Sequence, residues 1–292
     1  MKTPSTSPRL LGIIGRSLSH TMSPLMYTTA FRVDGADLRY GVLQSEPAML
    51  PHLVGTLRSP SFRGANVTVP YKQTVMPMLD ALSDEASVIG AVNTIVNDGG
   101  RLTGYNTDAD GVRHALAPFE AELRQAPVLV FGAGGGARAV LYTLARDFSP
   151  SSIVIVNRTA ETAVTLAREF AALFPAVPFR TAVTAAETAA ELERSLLLVN
   201  TTTLGMSPDT GSTPLPDGSV IRRNQIVFDI VYNPLRTALL AAAETSGART
   251  VSGLEMLLGQ GARSYVLYTQ RPFPFDAARE AVLRELQKEG RS

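Results

Sequence analysis

Three polar segments in this 292-residue chain end or follow apolar, strand-like runs: Gly64-Ala-Asn-Val-Thr-Val-Pro-Tyr-Lys72, Gly90-Ala-Val-Asn-Thr94 and Gly104-Tyr-Asn-Thr-Asp108. Each puts amide, hydroxyl or ionic groups where a rigid scaffold can aim them at a ligand. A fourth segment, Gly132-Ala-Gly-Gly-Gly-Ala137, follows the apolar run Val128–Phe131 and opens a helical stretch. This is the pattern G-x-G-x-x-A in a strand–turn–helix setting, a dinucleotide fingerprint. The first glycine permits the tight turn. The second lets the backbone approach a pyrophosphate, and Ala137 lets the helix pack close to the strand. The amides at the helix start then face the phosphates.

The next strand, Ile153–Val156, ends in Asn157-Arg158-Thr159. A site for an unphosphorylated ribose usually carries a carboxylate there, bonded to the 2′-hydroxyl. Arg158 offers instead a planar fork suited to a 2′-phosphate. Arg138, in the first turn of the following helix, opposes the helix dipole, and a bound anion would compensate it. These residues predict NADP(H) over NAD(H) by roughly ten- to a hundred-fold.

Hydride transfer to a ketone needs a proton donor at the developing alkoxide. The chain has no cysteine, and His20, His52 and His114 are scattered, so the candidates are Lys, Tyr and carboxylic acids. The same absence rules out disulfides and thiolate metal sites, and no metal is expected. Lys72 follows Pro70, which is expected to start a helix whose N-terminus would lower the lysine pKa. A neighbouring Asp108 would raise it. Taken singly, a lysine is usually a solvated charge and an Asp after Asn-Thr a turn residue.

Two domains' worth of residues, 45% of them apolar, must position these groups. Apolar runs alternate with helical stretches, the pattern of an α/β chain. Strands are expected at Leu10–Ile14, Leu38–Leu43, Gly64–Val69, Ala91–Val96, Val128–Phe131, Ile153–Val156, Leu196–Asn200 and Ile226–Ile230. Helices are expected at Ser23–Phe31 (capped by Ser23 with Pro24 behind it), Pro47–Leu57, Ser83–Ile89, Ala137–Arg146, Glu161–Phe170 and Ala238–Glu244. Two more follow within Gly253–Lys288, broken at Arg271–Phe275 by Pro272 and Pro274. The net charge of +1 argues against a nucleic-acid binder or polybasic membrane anchor. The opening MKTPSTSPRL does not read as a targeting segment, and no run reaches the roughly 18 apolar residues of a membrane span. A soluble cytoplasmic protein is expected.

Taken together and in order, the segments HTMSP at His20–Pro24, GANVTVPYK, GAVNT, GYNTD, GAGGGAR, NRT, Asn200–Met206, Asp229-Ile-Val-Tyr232 and Gly253–Gln260 resemble the shikimate dehydrogenase family over nearly the whole length. The resemblance implies a substrate domain built from both chain ends, residues 1–107 with 253–292. It implies a Rossmann-like NADP-binding domain, residues 108–252, inserted between them. The implied reaction is reversible NADPH reduction of 3-dehydroshikimate to shikimate, with Lys72 and Asp108 as the catalytic pair. Thr21 and Ser23 would hold the substrate carboxylate, and Asn66, Thr68, Asn93, Tyr232 and Gln260 would line the hydroxyl and ketone pocket. Gly132, Ala133, Gly134, Gly135, Gly136, Asn157, Arg158 and Thr159 would hold the cofactor, with Ile230 and Gly253 near the nicotinamide and Asp84 near the cofactor. The implied partner is a small molecule, and a homodimer is left open.

The departures from the family pattern cluster at the start. Ser17 stands for a Pro, Thr21 for a Ser, and Tyr27-Thr28 for His-Asn. Ala109 replaces a Gly, and Ala238 a Pro. Thr21 keeps the hydroxyl and adds a methyl at the carboxylate end. The alternative reading is therefore a paralogue acting on quinate or another cyclic polyhydroxy acid, and a more remote one is a non-catalytic NADP or metabolite sensor.

Overall fold

The computed structural model describes residues 9–289; the opening MKTPSTSP and the last three residues lie outside the described residues. The chain divides into two compact units. The first runs to Thr107 and resumes over Gln260–Glu285; the second spans Asp108–Gly259 and resumes at Leu286.

In the first unit the order is β1 (Arg9–Gly15), α1 (Ser23–Asp34), β2 (Leu38–Gln44), α2 (Leu50–Thr56), β3 (Gly64–Val67), β4 (Ala81–Leu82), α3 (Asp84–Ile89), β5 (Thr94–Asp98) and β6 (Arg101–Tyr105). The six strands form one sheet in the order β2-β1-β3-β5-β6-β4. β1 runs parallel to β2 and β3, while β3–β5 and β5–β6 are antiparallel. The alternation of the sheet buries Ile14, Ala65, Val67, Ile95 and Leu102 against Leu50, Val54 and Leu57 of the α2 region.

Several local expectations change here. β3 stops at Val67, and the chain turns back with Tyr71 N–H bonded to the Thr68 carbonyl at 2.9 Å. No α-helix follows Pro70: the segment runs through turns into a 3-10 turn at Met76–Met78, so the helix-terminus argument for Lys72 falls. The strand expected from Ala91 begins at Thr94, because Val92 and Asn93 spend their N–H groups on the Lys72 and Tyr105 carbonyls. The N-cap of α1 is Met22, with no side-chain bond, and Ser23 is the first helical residue.

The second unit comprises α4 (Asp108–Leu116), α5 (Glu120–Leu123), β7 (Pro127–Phe131), α6 (Gly135–Thr143), β8 (Ser152–Val156), α7 (Ala160–Leu173), β9 (Phe179–Thr181), α8 (Ala185–Arg194), β10 (Leu197–Asn200), β11 (Ile226–Asp229), α9 (Ala238–Thr245) and β12 (Arg249–Ser252). All neighbouring strands of its sheet are parallel, in the order β12-β11-β10-β7-β8-β9. That is the doubly wound order, with the strand sequence reversing between β7 and β10, and ligands of such sheets bind outside the carboxyl ends of the strands at that reversal. The strand interiors are apolar throughout, as burial on both faces requires.

α10 (Gly253–Thr269) and α11 (Phe275–Glu289) complete the chain, separated at Pro272 and Pro274. The division between units falls at Gln260, whereas the sequence placed it at 253. The first two turns of α10 pack on the second unit: a Cβ on Gly253 would stand 2.3 Å from the Ile230 carbonyl oxygen, and one on Gly259 would stand 2.8 Å from His114.

Candidate active site

In the first unit, the ends of β3, β5 and β6 bring side chains distant in sequence into one buried polar cluster. The Asn66 amide nitrogen reaches the Asn93 carbonyl (3.3 Å), Thr94 Oγ1 (3.2 Å) and Ser264 Oγ (3.3 Å), and its Oδ1 accepts from the Tyr40 hydroxyl at 2.8 Å. Asn93 donates to Thr107 Oγ1 (2.9 Å) and Gln260 Oε1 (3.5 Å), and its Oδ1 accepts from the Thr107 backbone N–H at 2.7 Å. Asn66, Asn93 and Gln260 are therefore brought together. Thr68 follows the end of β3, its N–H on the Ile14 carbonyl (2.8 Å), with its methyl where a Cβ on Gly15 would collide.

The sequence reasoning did not single out Ser264, which is fully buried and bonds Asn66, Thr94 (2.8 Å) and Thr107 (2.9 Å). Its signal was present: it stands one turn after Gln260 on the same helix. Tyr40 was missed for want of any local signal on an edge strand. Its ring stacks on fully buried Tyr27, with centroids 4.5 Å apart, and burial holds the Tyr27 hydroxyl well above its ordinary pKa. Thr21 and Ser23 sit together at the start of α1, Ser23 N–H against Thr21 Oγ1 at 3.4 Å, one turn before Tyr27.

Of the two ionic candidates, Lys72 belongs to the first unit and Asp108 opens the second. The Lys72 carbonyl accepts from Val92 N–H at 2.7 Å, one residue before Asn93. Asp108, 5% exposed, is the next residue after Thr107, which Asn93 grips by both backbone and hydroxyl.

In the second unit, the glycine turn follows β7 at the strand-order reversal. Gly132 has φ +107°, which a side chain rarely adopts, and its N–H bonds the Val156 carbonyl at the end of β8 (2.7 Å). Gly134 caps α6 with no side-chain acceptor, there is no acidic residue in the first turn, and a Cβ on Gly134 would meet nothing within 4 Å. Unpaired amides facing open space suit an anion. At the end of β8, Asn157 closes the loop by donating to the Thr159 carbonyl (3.0 Å). Arg158 is exposed, with no ion pair among the described residues and no carboxylate alongside it in Asn157-Arg158-Thr159. The residues present thus fit a phosphorylated dinucleotide. Ile230 packs against Gly136, its Cδ1 3.0 Å from where a Cβ would stand, and its backbone against Gly253.

Arg138 does not join this group. Its guanidinium is paired with Glu169 of α7, Nη1 to Oε2 at 3.0 Å, and lies over the Phe170 ring. The charge that a bound anion was expected to balance is balanced by a side chain of the same unit. Tyr232 follows β11 in the second unit, apart in the chain from the other residues of the expected pocket. Asp84 is exposed at the start of α3, where Ser83 caps the helix by accepting from Ala86 N–H (3.1 Å).

Residues 13–95 match the model of the shikimate dehydrogenase substrate binding domain, and residues 253–283 that of the shikimate 5′-dehydrogenase C-terminal domain. The chain is 40% identical to the shikimate dehydrogenase (NADP(+)) of Pelodictyon phaeoclathratiforme over 284 residues, 97% of this chain and 99% of that one. It is 43% identical to the enzyme of the same name from Moorella thermoacetica over 281 residues, 96% of this chain and 94% of the relative. Its fold is similar to that of shikimate 5-dehydrogenase from Thermus thermophilus, solved in complex with NADP(H) and shikimate. That match has a TM-score of 0.83 at 34% identity and covers 94% of this chain and 99% of the other.

Proposed function

This chain belongs to the shikimate dehydrogenase family, and we propose from that premise that it catalyses the reversible NADPH-dependent reduction of 3-dehydroshikimate to shikimate. The observation that carries the reading is the buried cluster of amide and hydroxyl groups at Asn66, Asn93, Thr94 and Thr107, which suits a polyhydroxy ring.

The cofactor, when bound, supplies or removes the hydride. Gly132 to Gly136 would hold its pyrophosphate at the α6 amides, and Asn157, Arg158 and Thr159 would take the 2′-phosphate. Ile230 and Gly253 would form the wall at the nicotinamide. Arg138, spent on Glu169, has no part in this reading, and Asp84 enters it through the family resemblance alone.

Lys72 gives a proton to the ketone oxygen in reduction and takes it from the hydroxyl in the reverse direction. Asp108 orients the ammonium and one ring hydroxyl. Thr21 and Ser23 hold the substrate carboxylate, and Asn66, Thr68, Asn93, Tyr232 and Gln260 hold the ring, so that binding supplies the proximity term. The first unit would thus be the substrate domain and the second the cofactor domain. Among the described residues no helix is long and apolar enough to cross a membrane. A cytoplasmic location and a homodimeric assembly are part of the same proposal.

The test is a four-way comparison of kcat/KM: shikimate and quinate, each with NADP and with NAD. Shikimate with NADP is expected to give the highest value. Higher values with quinate would move the assignment to the alternative raised by Thr21 and Tyr27. Absence of turnover with all four pairs would overturn the enzymatic reading.

A further inference from the structure

We propose that Asp229 is a positioning residue for cofactor binding: its carboxylate, at the end of β11, sets the two loops that flank the glycine turn. The inference rests on the reading of the second unit as the NADP(H) domain.

Asp229 is fully buried and has no role in the chemistry described above. Its Oδ1 accepts from Asn200 Nδ2 (2.9 Å) and from the Val231 backbone N–H (3.0 Å), and its Oδ2 accepts from the Thr237 hydroxyl (2.7 Å). A carboxylate only accepts, so it dictates which way the Asn200 amide faces. With Nδ2 turned to Asp229, the Asn200 Oδ1 is left for the Thr202 N–H (3.0 Å) and hydroxyl (2.7 Å), while Nδ2 also reaches the Leu204 carbonyl (3.1 Å). The loop after β10 hangs on that amide. It lies against the glycine turn: Thr201 bonds the Phe131 carbonyl through both N–H (2.8 Å) and hydroxyl (2.7 Å), and its Oγ1 would stand 2.4 Å from a Cβ on Gly132. Val231, the second arm, fixes the segment carrying Ile230, which packs on Gly136 and Gly253. Thr237, the third, caps α9 by accepting from Leu240 N–H (3.2 Å).

Burial raises the Asp229 carboxyl to about 6 against the pull of its three donors. Once protonated, one oxygen becomes a donor, and the orientation of Asn200 and Thr237 is no longer dictated. The elements around it contribute neutral groups: Asn200 of β10, Thr237 of α9, the Val231 amide, and Ser252 of β12 in register with it. The charged side chains on these elements and on the start of α10 are held in other pairs: Arg236 with Glu244, Arg249 with Glu122, and Glu255 with His114. Asp229→Asn removes the part of the pH response that this carboxyl contributes and leaves the rest unchanged.

The test measures NADPH dissociation constants by cofactor fluorescence, without turnover, for the wild type and Asp229→Asn from pH 5 to pH 8. The 2′-phosphate titrates near pH 6 in both proteins and cancels in their ratio. The variant is expected to bind roughly tenfold more weakly at pH 8, the order lost with one charge-assisted bond. The ratio should fall towards one at pH 5, where the wild type is itself protonated. A ratio that stays constant with pH reports a merely structural role and overturns the proposal, as does a ratio of one at pH 8. Thr237→Val removes one donor to the carboxylate and should move the midpoint of the wild-type pH response upward, even if Asp229→Asn does not fold; an unmoved midpoint counts against the proposal. If the wild type binds NADPH at no pH, the reading of the unit falls together with the inference; if it binds and the ratio is flat, only the inference falls.

Discussion

Two glycines of one turn separate what the fold needs from what the ligand needs. At Gly132, alanine would sit at φ +107°, and its methyl would stand 2.4 Å from Thr201 Oγ1. The backbone strain costs about 1–3 kcal/mol. Pushing Thr201 away also breaks its hydroxyl bond to the Phe131 carbonyl, worth about 1 kcal/mol. A loss of roughly 2–4 kcal/mol in a unit of this size lowers Tm by about 5–15 °C. At Gly134 the backbone is at φ −91° and ψ −167°, extended and open to any residue, and a Cβ meets nothing within 4 Å. Alanine is a poorer helix cap than glycine, but it also reduces the entropy of the unfolded chain, and the two effects nearly cancel. Gly134→Ala should therefore melt within about 2 °C of the wild type.

NADPH affinity should fall in both variants, and in Gly134→Ala it should fall by roughly tenfold or more, because the added methyl occupies the space a pyrophosphate needs to reach the α6 amides. Differential scanning fluorimetry without ligand and an NADPH titration together decide the matter. The reasoning is refuted if Gly134→Ala loses as much Tm as Gly132→Ala, or if it melts normally and binds NADPH as tightly as the wild type.

Lys72→Ala should lower kcat by about 10²–10⁴ with a smaller change in the KM for shikimate, since the lost group acts on the proton in flight; near-normal turnover would remove Lys72 from the mechanism. Arg158→Asp should abolish the roughly ten- to hundred-fold preference for NADP over NAD, read as the ratio of the two dissociation constants, and an unchanged NADP affinity would contradict the assignment. Stability should also carry the mark of Asp229. Its folded pKa of about 6 lies above its ordinary value of 3.8, so between those values the folded state holds a proton that the unfolded state lacks. Stability from this group therefore rises as pH falls from 7 towards 4, by about 2–3 kcal/mol. The carboxylates of Asp80, Glu122 and Glu187 are shifted the other way by their hydrogen bonds, and their contributions are lost only at lower pH. Denaturant unfolding at pH 7 and pH 4.5 should show the wild type gaining on Asp229→Asn; a constant difference would sink this account.

What could be read from the sequence was local. The glycine turn is legible because strand, turn and helix occupy consecutive residues, and the central parallel strands because burial on both faces makes them continuous apolar runs. The hairpin of β5 and β6 had its own signal, Asn97-Asp-Gly-Gly100, with Gly99 and Gly100 at positive φ, but the reading placed the strand too early and ended it before the turn. α4 is not among the expected helices because an Asp after Asn-Thr reads as a turn residue, although an acidic first turn, here Asp108 and Asp110, is favourable at a helix start. Arg138 shows the opposite failure. Its place in a first turn was read correctly, but its counter-charge is Glu169, 31 residues away on a different helix, and no spacing rule connects them. The polar cluster is nonlocal in the same way: Asn66 meets Asn93 across 27 residues and Ser264 across 198. Periodicity identifies which residues could take part, but only sheet order and helix packing determine which of them meet. Asp229 illustrates the consequence. Its sequence context is that of a strand end, and its importance lies in a donor from β10, 29 residues away, joined to two from its own following loop at Val231 and Thr237, so a buried carboxyl could not be told from a surface one until the sheet was assembled.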